Sequence, residues 1–210
     1  MTPSWQPIAA RIIQLLAAAI LGAVAVVAFT RGPVRAVTPL TATDIGFAQD
    51  MSAHHQQAIT MSDMVAADAA PAVRALADQI RFTQLREIGQ MTGWLQLADA
   101  PVTSPLPMAW MMADAGHHVG GGGIKMAGLA SPADLTRLQR ATGLDNEVLF
   151  LQLMTRHHQG GIEMAAYAVR HTTTSAVHQT AVAMIDEQSQ EVILMAYLLT
   201  QRHSAPLSYP

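Results

Sequence analysis

The sequence predicts an all-α protein, a four-helix bundle of two duplicated αα-hairpins with an apolar N-terminal helix before them. Three observations predict it. Half of the 210 residues are hydrophobic and 13% are charged, which excludes a disordered chain. A block running through Phe47, Met51, His54, His55, Gln56, Ile59 and Met61 recurs as Phe150, Met154, His157, His158, Gln159, Ile162 and Met164. A second block, Val73, Ala77, Gln84, Glu87, Met91 and Leu95, recurs one residue further offset as Val177, Ala181, Gln188, Glu191, Met195 and Leu199. Both blocks carry apolar residues at helical spacing, so each repeat reads as two helices joined by a turn.

The elements follow in chain order. Residues 12–29 are apolar apart from Gln14, and as a helix they extend about 27 Å at ~1.5 Å per residue, close to a bilayer core. Arg31, Gly32, Pro33 and Arg35 end the run. Residues 1–35 therefore read as a transmembrane anchor or a signal segment. The length favours an anchor, while Val34-Arg35-Ala36 offers an imperfect cleavage site. Residues 36–210 form the working domain, expected outside the cytoplasm. Repeat 1 covers about 43–98, with Thr43 or Asp44 as N-cap of its first helix and Pro71 in the first turn of its second.

The linker 99–130 is long and irregular. It holds three prolines, Met108, Trp110, Met111, Met112, His117, His118, the glycine run 120–123 and Met126. Its plain reading is a mobile crossover whose Met and Trp residues patch one end of the bundle; its other reading adds ligands. Repeat 2, about 131–203, opens with a short helix capped at Ser131-Pro132 and ending at Gly143. Its two long helices lie near 146–170 and 175–203. Each hairpin has one apolar face that it cannot bury alone, so the two pack together with pseudo-twofold symmetry.

The chain has 13 Met, 9 His and no Cys, so disulfides, thiol nucleophiles and iron–sulfur clusters are excluded, and any soft metal ligand must be a thioether. Fifteen acids against twelve bases leave a net charge of −3, so no nucleic-acid partner is expected. On a helical wheel His54 and His157 fall inside the apolar stripes, next to the small Ala58 and Gly161. His55 and His158 lie about 100° away, at the stripe's edge, and are expected to be more exposed. The second helices place Gln84 and Gln188 centrally and Glu87 and Glu191 at the margin. Imidazole and thioether together suit copper, and Cys-free Met/His sites suit an oxidising compartment. The candidate metal ligands are His54, His55, His157, His158, Met51, Met61, Met154, Met164, Glu87 and Glu191. His54 and His157 are expected to meet in the bundle interior, and copper affinity is expected to fall below pH ~6.5, the ordinary imidazole pKa. The competing reading makes these histidines core residues that set helix register.

Other chemistries find no support. None of the five glutamates starts a Glu-x-x-His, so a di-iron centre is not expected. His-Glu-x-x-His is absent, and no Lys-Ser/Thr follows the glycine run. No nucleophile or catalytic constellation is legible, so the protein is expected not to be an enzyme. The repeated Phe-x3-Met-x2-His-His-x2-Ala/Gly-x2-Met block, with Gln-x2-Glu-Ile/Val-x2-Met after it, resembles the bacterial domain-of-unknown-function family 305 from about Thr43 to Arg202. Two positions depart from the pattern: Met64 is matched by Tyr167, and a Met-rich glycine turn reads Gly123-Ile124-Lys125-Met126. The resemblance implies a ferritin-like bundle, secreted or anchored, of a kind discussed with copper handling. Two functions follow as expectations. One is an extracytoplasmic copper-binding protein for tolerance or delivery, its partners the metal ion and, through the N-terminal segment, the membrane. The other is a non-enzymatic structural or accessory bundle docking on a membrane complex.

Overall fold

The computed structural model describes residues 6–30, 39–112 and 126–209, with side chains given from residue 10 to 26 in the first stretch. The chain divides into two units, residues 1–38 and 39–210. The first holds α1 (Gln6–Thr30). Among the described residues no helix is long and apolar enough to cross a membrane. The expected span 12–29 runs past the described side chains, and Val34-Arg35-Ala36 lies outside the described residues.

The regular elements among the described residues of the second unit are all helical: α2 (Ala42–Asp63), α3 (Pro71–Leu97), a 3-10 turn at Ala109–Met111, α4 (Pro132–Arg140), α5 (Gly143–His171) and α6 (Ser175–Thr200). The two predicted hairpins are α2–α3 and α5–α6, and α2 packs on α5 between them. Helix α2 begins two or three residues earlier than expected. Its cap is Thr41, whose amide donates to Asp44 Oδ2 at 2.8 Å while its hydroxyl accepts from the Asp44 amide at 3.2 Å. Asp44 is thus the third helical residue, not the cap, and it is fully buried. It also accepts from Thr172 and, at 2.7 Å, from the Thr174 hydroxyl, which ties the start of α2 to the turn between α5 and α6.

Pro71 opens α3, and Ser131 caps α4 through a reciprocal bond with Asp134, both as expected. Gly143 opens α5 instead of closing α4, with φ of +53° that suits a residue without a side chain. The turn after α2 is held from the start of α5. Asn146 accepts from the Ala66 amide at 2.8 Å and donates to the Met64 and Leu138 carbonyls, and Glu147 accepts from the Ala70 amide at 2.7 Å.

The core is two apolar clusters rather than one. Ala58, Met61, Val73, Ile80, Phe150, Met154, Met195 and Leu199 belong to the first. Phe47, Met51, Met91, Leu95, Met164, Ala168, Val177 and Met184 belong to the second. Along every long helix the cluster changes at mid-length: between Met51 and Ala58, Ile80 and Met91, Met154 and Met164, and Met184 and Met195. What stands there is polar, namely His54/His55, Gln84/Glu87, His157/His158 and Gln188/Glu191. A polar belt therefore crosses the middle of the bundle, and the apolar burial above and below, at about 1.5–3 kcal/mol per large side chain, holds it in place.

The described part of the linker seals one end. Asp50, buried in α2, accepts from the Met108 amide at 2.6 Å and from Trp110 Nε1 at 2.9 Å. Trp110 then stands edge-on to Phe47 and to Tyr167. Gly46 makes room for it, since a Cβ there would lie 2.6 Å from the Trp110 side chain. Burial pushes the Asp50 carboxyl above its ordinary range, and its two donors pull the other way. Met108 and Trp110 thus patch the bundle end as the plain reading of the linker expects. His117, His118 and the glycine run 120–123 lie outside the described residues.

Candidate metal centre

The duplication delivers two histidine pairs to the α2–α5 seam. The His54 and His157 rings stack with centroids 3.8 Å apart and planes at 30°. This is the meeting expected from the sequence. His157 Nε2 donates to the His54 carbonyl at 3.0 Å, and His54 Nε2 donates to the Ala127 carbonyl at 3.3 Å. A carbonyl only accepts, so both rings carry hydrogen on Nε2. Their Nδ1 atoms are then bare lone pairs, and among the described residues neither has a hydrogen-bond partner although both are buried.

His55 and His158 were expected at a more exposed edge. Both are fully buried. The wheel position is right, but that flank of α2 faces α3, and that flank of α5 faces α6. Glu87 covers one ring, its Oε2 2.7 Å from His55 Nε2, and Glu191 covers the other at the same distance from His158 Nε2. The Nδ1 atoms of these rings are also buried, with no partner among the described residues. Both glutamates were candidate ligands; in the structure each spends Oε2 on holding an imidazole. Gln79 Nε2 donates to the second oxygen of Glu191 at 3.2 Å.

Burial disfavours the protonated form of His54, His55 and His157. Burial, then the neighbouring His55, lowers His54 from its ordinary 6.5 to about 3. Burial, then His158, lowers His55 to about 3, and burial, then His54, holds His157 well below its ordinary value. Burial pushes Glu87 up to about 7, with Glu191 adding to it and Arg86 opposing. Protonation of these three rings, on which the expected loss of copper affinity below pH ~6.5 depends, is thereby displaced to lower pH.

The methionines are buried with them. Met51, Met61 and Met154 are 0% exposed and Met164 is 1% exposed. They regroup across the repeats: Met51 shares a cluster with Met91 and Met164, and Met61 shares the other with Met154 and Met195. The histidine pairs therefore lie between two methionine-bearing clusters. Among the described residues no three His, Asp or Glu side chains are grouped to hold a metal ion.

The family model described as "Domain of unknown function (DUF305)" matches residues 44–199. The chain belongs to DUF305. The matched region spans α2 through α6 almost to the end, so it contains the whole polar belt. A DUF305 protein from Streptomyces coelicolor has a crystal structure similar to this chain, with 39% identity, a TM-score of 0.71 and coverage of 80% of this chain and 96% of that one. A DUF305 fragment from Deinococcus radiodurans is 27% identical, with a TM-score of 0.64 and coverage of 78% and 99%. The structure of CopM in the Cu(II)-bound form is 27% identical, with a TM-score of 0.57 and coverage of 75% and 96%. No curated protein matches the chain.

Sequence reasoning missed the segment 126–130, whose Ala127 carbonyl completes the DUF305 histidine stack, and the Asp50 anchor. A signal for the first was present. Gln57 is matched by Gly160 in the repeat, and both positions touch that segment. Gln57 brackets Ala130, accepting from its amide at 2.7 Å and donating to its carbonyl at 3.1 Å. A Cβ on Gly160 would lie 2.0 Å from the Ala127 oxygen.

Proposed function

We propose that this DUF305 protein binds copper outside the cytoplasm, for tolerance or delivery, and performs no catalysis. The observation that carries the reading is the stacked pair His54 and His157: neutral, buried, and with Nδ1 lone pairs that find no partner among the described residues, between thioether clusters. A buried acceptor without a donor costs free energy in the metal-free protein, and a cation that takes the lone pair relieves it. Imidazole nitrogen and thioether sulfur are a donor set that copper prefers, and zinc favours it less when no thiolate is present. CopM, in its Cu(II)-bound form, supports the reading at 27% identity. Met51 and Met154, one turn before each histidine pair, are the first thioethers to test as partners of the imidazoles.

Copper and zinc titrated separately into the metal-free full chain test this. Copper is expected to bind more tightly; equal or tighter zinc binding would sink the reading. Residues 12–29 are proposed as the anchor that holds 36–210 outside the cytoplasm, because the apolar run has nearly a bilayer's length. Cell fractionation and protease treatment of intact spheroplasts check it. The expected result is a membrane-associated chain that is degraded from outside, and a protein protected in the soluble cytoplasmic fraction would refute it.

A second reading is favoured by the His55–Glu87 and His158–Glu191 contacts. Each ties the two helices of one hairpin at a single register, as an accessory bundle docking on a membrane complex would use them.

A further inference from the structure

All four belt histidines are fully buried, so nothing reaches an Nδ1 atom until some element moves. Parting α2 from α5 would open both apolar clusters at once. Among the described residues, the non-helical element bonded to a belt imidazole is the segment 126–130. It lies across the α2–α5 seam as a strap. Gly160 of α5 lets the Ala127 carbonyl come down onto the seam, and Gln57 of α2 grips Ala130 with both ends of its amide. Gly128, at φ +77°, bends the strap between these two points, and a Cβ on it would lie 2.4 Å from the Arg156 carbonyl. Three hydrogen bonds hold the strap to α2: the two from Gln57 and the 3.3 Å bond from His54 Nε2 to Ala127. An open recess lined by Met126, Ala127, Gly128, Leu129 and Arg156 runs along it.

The opposite side of the belt is closed differently. There Glu87 and Glu191 lie over His55 and His158, and α3 and α6 are bridged by Gln79–Glu191 and by Gln90 donating to Thr180 at 2.9 Å. The strap also breaks the symmetry of the repeats. His157 donates to the His54 backbone, but His54 donates to the strap instead of to the His157 backbone. One face of the stack is thus covered by a short strap, held by a few polar contacts and by the packing of Ala130 and Met126 on the two apolar clusters, and the other by packed helices.

We infer that the strap 126–130 is the gate to the stacked imidazoles, and that Gln57 is its latch. When the Gln57 clasp releases, the Ala127 carbonyl lifts from Gly160 and His54 and His157 become reachable from the recess. That a soft cation then enters rests on the copper reading; the opening itself does not.

The test uses the metal-free full chain and diethyl pyrocarbonate, which acylates neutral imidazole, with each histidine followed by peptide mass. Gln57→Ala is expected to raise the labelling rate of His54 and His157 on the order of tenfold, since two hydrogen bonds of the latch are lost. Gln79→Ala, on the opposite face, is expected to leave it unchanged. Gln57→Ala labelled at the wild-type rate, or Gln79→Ala labelled as fast as Gln57→Ala, would overturn the gate. Should Gln57→Ala fail to fold, amide hydrogen exchange in the wild type decides. The Ala130 amide, held by Gln57, is expected to exchange well before the amides of α2 and α5 around the belt. Exchange together with those helix amides would overturn the proposal. Copper uptake by the same proteins is a separate readout: its absence in the wild type would defeat the copper reading and leave the labelling result standing.

Discussion

Replacing His54 and His157 together by alanine is expected to lower copper affinity by more than about 100-fold, because both stacked donors are removed and even outer partners of metal ligands are worth 10–100-fold. The same variant is expected to melt earlier. Each substitution deletes a buried ring, and that of His157 also removes the ring donor to the His54 carbonyl. The two effects separate the two functional readings. If copper titration gives wild-type affinity while the metal-free melting temperature falls, the histidines pin helices and hold no metal. If affinity collapses and copper no longer raises the melting temperature, they are ligands, since a ligand stabilises the fold only by binding it.

Acid is expected to destabilise the bundle steeply below about pH 6.5. In the unfolded chain the imidazoles take up protons near 6.5, whereas in the fold His54 and His55 resist to about 3 and His157 is held down as well. Throughout that interval the unfolded state binds more protons, so stability falls with pH by about 1.4 kcal/mol per unit for each histidine. Glu87 acts in the opposite sense. Its folded value of about 7 lies above its ordinary 4.5, so between those values the fold holds the extra proton and offsets roughly one histidine. The slope is then at most about 3 kcal/mol per pH unit down to pH ~4.5 and steeper beneath it, where the offset ends. Urea midpoints measured from pH 7 to pH 4 check this, and a flat profile from 7 to 5 would show that these histidines are not held neutral. Copper binding is expected to persist through the upper part of the window and to fail with the fold.

The helices and the central stack were legible because both rest on local period and repetition. The stripe through Phe47, Met51, His54, Ala58 and Met61 fixes which face of α2 turns inward, and its copy at Phe150 does the same for α5. Two inward histidines at matching positions must then meet near the symmetry axis. Pro71 and Ser131 were legible for the same reason, since each acts within one turn of its own helix. The remainder depends on partners distant in sequence. Whether His55 is exposed is decided by Glu87 on another helix, and whether Asp44 is a cap or a third residue is decided by Thr41 and by the hydroxyls of Thr172 and Thr174. The strap was the least legible part, because its bonds join Ala127 and Ala130 to α2 and no periodicity leads to them. Its one trace was the mismatch of Gln57 with Gly160.

The polar belt stands at mid-length of α2, α3, α5 and α6, and this placement governs what the protein's fluctuations can reach. Helices fray from their ends, and a turn lost at any terminus of this bundle leaves the histidines untouched. Sub-global opening therefore does not present a graded series of half-formed centres. With the strap closed, the imidazoles are expected to share the protection of the most slowly exchanging amides, since they sit at mid-length of the long helices. The donor atoms thus sit behind two very unequal barriers. One is the hold on a short strap, three hydrogen bonds and the packing of Ala130 and Met126, and the other is the packing of four long helices.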